Sequence, residues 1–119
     1  MSDRFHITND SKRRTLADRS RKADTFFTRA IGLMGRRGLE DGEALIIQPC
    51  NGVVCFFMRF AIDVLFVDGE DRIVHMIPDM KPWRASSIVR ASRLVVELPA
   101  GTIEDTGTEV GDTIAISPA

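Results

Sequence analysis

The chain has 119 residues, 44% apolar and 28% charged, with a formal net charge of -1. A chain of this length buries roughly two-thirds of its unfolded surface, so a soluble domain can stand without a disulfide staple. The near-zero charge argues against wholesale binding to nucleic acid, and no apolar run is long enough to span a bilayer as a helix.

Residues 1–11 are polar, and a loose arm is expected there, ahead of a compact domain over 12–119. A strand is expected around Arg14–Arg19. In "ADTFFTRAIGLMGRRG", Phe27, Ala30, Ile31 and Met34 recur at helical spacing. Asp24 or Thr25 can cap the start and Gly35 or Gly38 the end, which predicts the one long helix over about 24–36. After it, β signals dominate. "EALIIQP" reads as a strand ending at Pro49. "AIDVLFV" and "RIVHMI" flank the turn-rich "DGED" and read as a hairpin. Pro78 and Pro82 bracket "DMK" and predict a stiff, extended loop rather than a strand. "RLVVEL" is another strand. "TIEDTG" suits one helical turn, with Thr102 as cap and Gly107 as stop. "TIAI" closes the chain after the Gly111-Asp112 turn. The fold class expected is mainly β: a small antiparallel β-sandwich or barrel, with one helix in the N-terminal half.

Charge is unevenly spread. Residues 1–40 hold ten Lys/Arg against five Asp/Glu, and the remainder six against twelve. The basic stretch Lys12–Lys22 reads as a solvated, partly flexible arm or as a dock for an anionic partner, RNA or lipid headgroups. It contains no aromatic residue, so no base-stacking platform is expected there and no specific nucleic-acid partner. "MSDRFHITNDSKRR" lacks the apolar core of a signal peptide, and the chain is read as cytoplasmic.

Asp63 stands out. In a strand, Ile62, Val64 and Phe66 share one face and Asp63, Leu65 and Val67 the other, and both faces are largely apolar. A carboxyl buried there must find Arg or backbone N–H partners or be protonated, and Arg59 and Arg84 are the cationic candidates. Cys50 and Cys55 bracket "NGVV". If Asn51-Gly52 is a two-residue hairpin turn, their Cα atoms are diagonal and about 7–8 Å apart. That is too far for a relaxed disulfide, so unpaired thiols are expected.

The ordered set "RAIGLMGRRGL", "FFMRFAIDVLFVD", "RIVHMIPDMKPW", "LVVELPAG" and a late Gly-Asp before a strand resembles the bacterial and archaeal family called domain of unknown function 192. The resemblance spans about residues 14–116. It implies a compact, mainly β, jelly-roll-like domain with an early helix, and it carries over no enzymatic activity. Many members look exported, which this sequence does not. Members often read His-Thr just before the aromatic-x-Met segment, where this chain has Val54 and Cys55, and Pro where it has Ala61. Met58, Asp63, Trp83, Glu97 and Gly101 match as motif residues.

Little else carries chemistry. His6 lies in the polar arm and His75 among apolar strand residues. No G-x-S-x-G elbow, Lys-Ser/Thr phosphate loop or zinc-type spacing exists, so no catalytic set, metal or cofactor is expected. "KPWR" is the best ligand signal: a Trp stiffened by Pro82 beside a guanidinium suits a sugar ring or an anion. The reading is a small-ligand binding module with a cleft lined by Met58, Asp63, Trp83 and Arg84. One alternative is an enzyme using Asp63 or Glu97 as acid/base. Another is a protein-interaction module with a basic N-terminal region.

Overall fold

The computed structural model describes residues 4–23, 36–56 and 58–118. Seven strands and a short helix follow in chain order: β1 (Phe5–Asn9), β2 (Arg14–Ala23), β3 (Glu43–Ile47), β4 (Ile62–Val67), β5 (Ile73–Met80), β6 (Leu94–Pro99), α1 (Thr102–Thr106) and β7 (Ile114–Pro118). The fold is mainly β, as the alternating apolar runs predict. The helix expected over 24–36 falls on residues outside the described ones, save Arg36.

The strands form one sheet in the order β5-β4-β6-β3-β2-β1-β7. Neighbours are antiparallel except β2 and β3, which pair in parallel through Arg19↔Glu43 to Ala23↔Ile47. A parallel pair needs a long crossover, and residues 24–42 supply it. The sheet curls into a half-barrel, because its two edges meet at one end. Arg72 bridges Thr113, the Ile73 N–H donates to the Asp112 carbonyl at 2.9 Å, and the Ile114 N–H to the Asp71 carbonyl at 2.9 Å.

Curling divides the apolar residues into two clusters. The inner one gathers Ile7, Ile46, Leu65, Val96, Leu98 and Ile114, all 0–1% exposed, and also takes Ile103 of α1. Each such side chain contributes about 1.5–3 kcal/mol by leaving water. The outer cluster lies on the convex face of β4, β6 and the end of β3, and includes Val53, Cys55, Met58, Val64, Phe66 and Val95. It is roofed by a short ladder in which 51–55 runs antiparallel to 84–89. Val54 bridges Ala85, the Cys55 N–H donates to the Arg84 carbonyl at 2.8 Å, and the Ser86 N–H to the Val53 carbonyl at 2.8 Å.

Several expectations change. Residues 5–9 are not part of a loose arm: they form β1, which bonds β2 on one side and β7 on the other. Asn9 fixes it further, its Nδ2 donating to Asp112 Oδ2 at 2.9 Å and Thr108 Oγ1 at 3.1 Å. Lys12 pairs with Glu109 and Asp112 at 2.7 and 3.1 Å, so part of the basic stretch meets the chain's own acids. Asn51-Gly52 is not a hairpin turn, because residues 51–55 spend their backbone bonds on 84–89 instead. Pro78 lies inside β5 rather than in a loop; β5 is an edge strand, where a missing N–H leaves no neighbour unbonded. The cap of α1 is Gly101, not Thr102, whose hydroxyl donates to the Pro99 carbonyl at 2.8 Å.

Candidate functional site

Asp63 is 1% exposed and sits on the inner face, in register with Leu98. Its partners are backbone amides rather than Arg59 or Arg84. Oδ1 accepts the Asp79 N–H at 2.8 Å; Oδ2 accepts the Gly101 N–H at 3.1 Å and the Ile103 N–H at 2.7 Å. The local chemistry explains this. Gly101 caps α1 with φ 98° and has no side chain to bond the free N–H groups of the first turn. Asp63 supplies the missing acceptor from across the sheet. It also fixes Asp79, whose φ of 52° marks the irregularity at the end of β5.

Glu97 is on the other face. It pairs with Val64 and Leu45 in the sheet and is 3% exposed within the outer cluster. Its Oε1 has no hydrogen-bond partner among the described residues. Burial pushes its carboxyl up to about 7. Cys55 is fully buried nearby: burial, then the Glu97 charge, push its thiol up to about 11. A thiol that high is not a thiolate at neutral pH and is a poor nucleophile. Met58, 6% exposed, packs in this same cluster. The Cys50 sulfur lies 3.0 Å from the Gly52 carbonyl, and both cysteines are thiols.

Trp83 and Arg84 lie above this cluster, on the outside of the ladder. Trp83 is 56% exposed, and its ring stacks on Phe56 with centroids 5.6 Å apart and planes at 27°. Its φ of 65° is left-handed, a conformation that costs a non-glycine residue about 1–2 kcal/mol. The backbone accepts it because the Trp83 N–H donates to the Cys55 carbonyl at 2.8 Å. Arg84 is exposed and makes no ion pair among the described residues; Asp79 pairs with Lys81 instead.

The four residues predicted to line one cleft are therefore distributed. Trp83 and Arg84 are adjacent on the surface, Met58 is buried in the cluster on that side of the sheet, and Asp63 is committed to amides on the other. Phe56 was not foreseen; its only signal is its place in "CFFM", which does not say which ring turns outward. His75, on the edge strand, lies 5.3 Å from the Phe66 ring and touches none of these groups in the described contacts. A surface hollow of about 490 Å³ lined by Arg36, Leu39, Glu40 and Glu43 contains none of the four. Among the described residues no three His, Cys, Asp or Glu side chains could hold a metal, and no helix is long and apolar enough to cross a membrane.

Comparison with known proteins agrees with the fold and adds no activity. Residues 6–116 match the model of the family domain of unknown function 192, described as "Uncharacterized ACR". A UPF0127 protein of Pyrococcus horikoshii is 34% identical over 114 residues, covering 91% of this chain and 96% of the relative. One from Pyrococcus abyssi is 36% identical over 114 residues, covering 91% and 94%. A crystal structure of a protein of unknown function from Novosphingobium aromaticivorans superposes with a TM-score of 0.81 at 23% identity, covering 93% of this chain and 82% of that one. At that identity the likeness is one of fold. The chain belongs to the domain of unknown function 192 family.

Proposed function

We propose that this family member is a small-ligand binding module whose site lies on the outer ladder at Trp83 and Arg84, with Met58 in the supporting cluster. One observation carries the reading. An indole is held half in solvent, in a strained left-handed conformation, against a second ring that is itself 43% exposed. Strain of that kind persists where surrounding structure imposes it, and it clusters at binding sites. The outer indole face suits a sugar-like ring, and the neighbouring guanidinium forks onto a carboxylate or similar anion. In this reading Asp63 positions β5 and α1 and does not meet ligand. Two cysteines kept as thiols suit a reducing, cytoplasmic setting.

Trp83 is the single tryptophan, so its emission reports on the site. Titration with sugars, sugar acids and nucleotides is expected to give a saturable change with at least one anionic class, weakened about tenfold or more by Arg84→Ala. An emission blind to every class would remove the reading.

A second reading rests on Glu97. A buried carboxyl near 7, with an oxygen that meets no donor among the described residues, is suited to exchange a proton with a bound molecule. Under it, ligand affinity follows one titration near pH 7 that Glu97→Gln abolishes.

A further inference from the structure

Among the described residues, four of the five exposed large apolar side chains lie on the one ladder: Val54, Phe56, Trp83 and Ile88, at 61, 43, 56 and 65% exposure. Single exposed apolar residues are ordinary, but a grouped set marks a contact surface. The same segments are one-signed. Residues 50–62 and 80–96 contain no Asp or Glu, while Arg59, Lys81, Arg84 and Arg90 are exposed. Lys81 is paired with Asp79; the three arginines have no ion pair among the described residues. This patch sits on a chain whose net charge is -1, so its sign is local.

We infer that this face docks on the surface of an anionic lipid bilayer. The inference rests on the proposed site in taking Trp83 and Arg84 as contact residues, and it goes further in naming the partner. Indole and phenyl rings beside aliphatic side chains enter the headgroup boundary, and arginines around them meet lipid phosphates. A second copy of the chain fits poorly, because a two-fold contact would set the same cations against each other. Single-stranded nucleic acid fits less well too: Phe56 and Trp83 each spend a ring face on the other, and Val54 and Ile88 offer no stacking surface.

The test is co-sedimentation with phosphatidylglycerol vesicles at low and high salt, read together with Trp83 emission. Binding is expected with a blue-shifted emission, and it should fall as salt rises. Arg84→Glu with Arg90→Glu should weaken it by well over tenfold, since each cation near such a surface is worth about fivefold. Val54→Asp with Ile88→Asp, at exposed positions that do not threaten the fold, should abolish it. Equal sedimentation with phosphatidylcholine vesicles, sedimentation without an emission change, or binding indifferent to the charge reversal would overturn the inference. So would displacement from vesicles by an acidic polypeptide or single-stranded RNA at far lower concentration than by salt. A parallel titration with glycerol phosphate separates the two ideas. If it shifts the emission while vesicles do not bind, bilayer docking fails and the small-ligand site stands.

Discussion

Asp63 and Glu97 are buried carboxyl groups on neighbouring strands, one register position apart, facing opposite sides of the same sheet. On the inner side, both oxygens of Asp63 are used by three backbone N–H groups. On the outer side, one oxygen of Glu97 meets no donor among the described residues, and its surroundings are apolar. Placing one acid therefore organises a helix cap and a strand end, while placing the other leaves a polar atom without a donor among the described residues. Native folds leave few such atoms, and each calls for a reason other than packing. The barrel interior is the part of the molecule that stability explains. The outer cluster and its roof, with an acid oxygen that meets no donor among the described residues, a strained tryptophan and exposed apolar side chains, is the part it does not.

The largest effect should come from breaking the inner arrangement. Asp63→Ala leaves three backbone donors without their acceptor, each costing about 1–3 kcal/mol if water cannot reach it. A loss of about 3–5 kcal/mol is expected as a lower urea midpoint at unchanged slope. Asp63→Asn keeps one acceptor oxygen and should recover part of it. A midpoint that does not move would mean that α1 and β5 hold their ends without this side chain, and the contrast between the two acids would collapse.

The outer acid should reveal itself through pH. The folded carboxyl of Glu97 is raised to about 7 from an ordinary 4.5. Between those values the folded chain holds a proton that the unfolded chain has released. Its contribution is thus full below about pH 4.5 and declines as pH rises towards 7, by on the order of 3 kcal/mol at most. The opposite slope belongs to Asp112. Burial opposes its ionisation, but hydrogen bonds from Asn9, the Glu109 N–H and Lys12 outweigh this and hold it low. Its contribution is present above the ordinary Asp value of 3.8 and fades as pH falls further. Denaturation midpoints should show the Glu97 limb across pH 4–8 and the Asp112 limb only when the series is carried below 3.8. Glu97→Gln, which mimics the neutral acid, should flatten only the upper one and leave the variant more stable than the parent at pH 8.

This division was only partly legible in the sequence. Alternation in "AIDVLFV" and "RLVVEL" located β4 and β6 and put Asp63 on the face of Leu65 and Val67. It could not choose among acceptor partners, because the Gly101 and Ile103 amides lie about forty residues away in chain and close only when α1 docks. β1 was missed because "FHITN" offers only two apolar side chains; its pairing comes from its neighbours. The ladder of 51–55 with 84–89 has no period-2 pattern, and Asn51-Gly52 imitates a hairpin turn. That Glu97 Oε1 meets no donor among the described residues has no sequence signal at all, since it depends on what folds over it.

Gly101 offers a smaller probe of the inner side. Its φ is 98°, and a Cβ built there meets nothing within 4 Å. Gly101→Ala should therefore cost only backbone strain, about 1–2 kcal/mol. Because its N–H points at Asp63, the variant should add less than this when Asp63 is already Ala. Full additivity in a double-mutant cycle would show that the cap and the acid are independent.

The smallest effect is expected on the roof. Trp83→Gly removes ring stacking on Phe56, about 0.5–1.5 kcal/mol, but also removes the left-handed penalty of about 1–2 kcal/mol. Glycine's extra freedom in the unfolded chain returns about 0.5–1 kcal/mol of cost. These nearly cancel, so thermal unfolding should shift by only a few degrees. Trp83→Ala loses the same ring and keeps most of the strain, so it should melt at or below Trp83→Gly. That order, not the size of either shift, is the measurement that matters. If the alanine variant is the more stable, the backbone at position 83 is not held left-handed in solution. The tryptophan would then be an ordinary surface ring, and the roof would no longer stand apart from the interior in the way that Asp63 and Glu97 do.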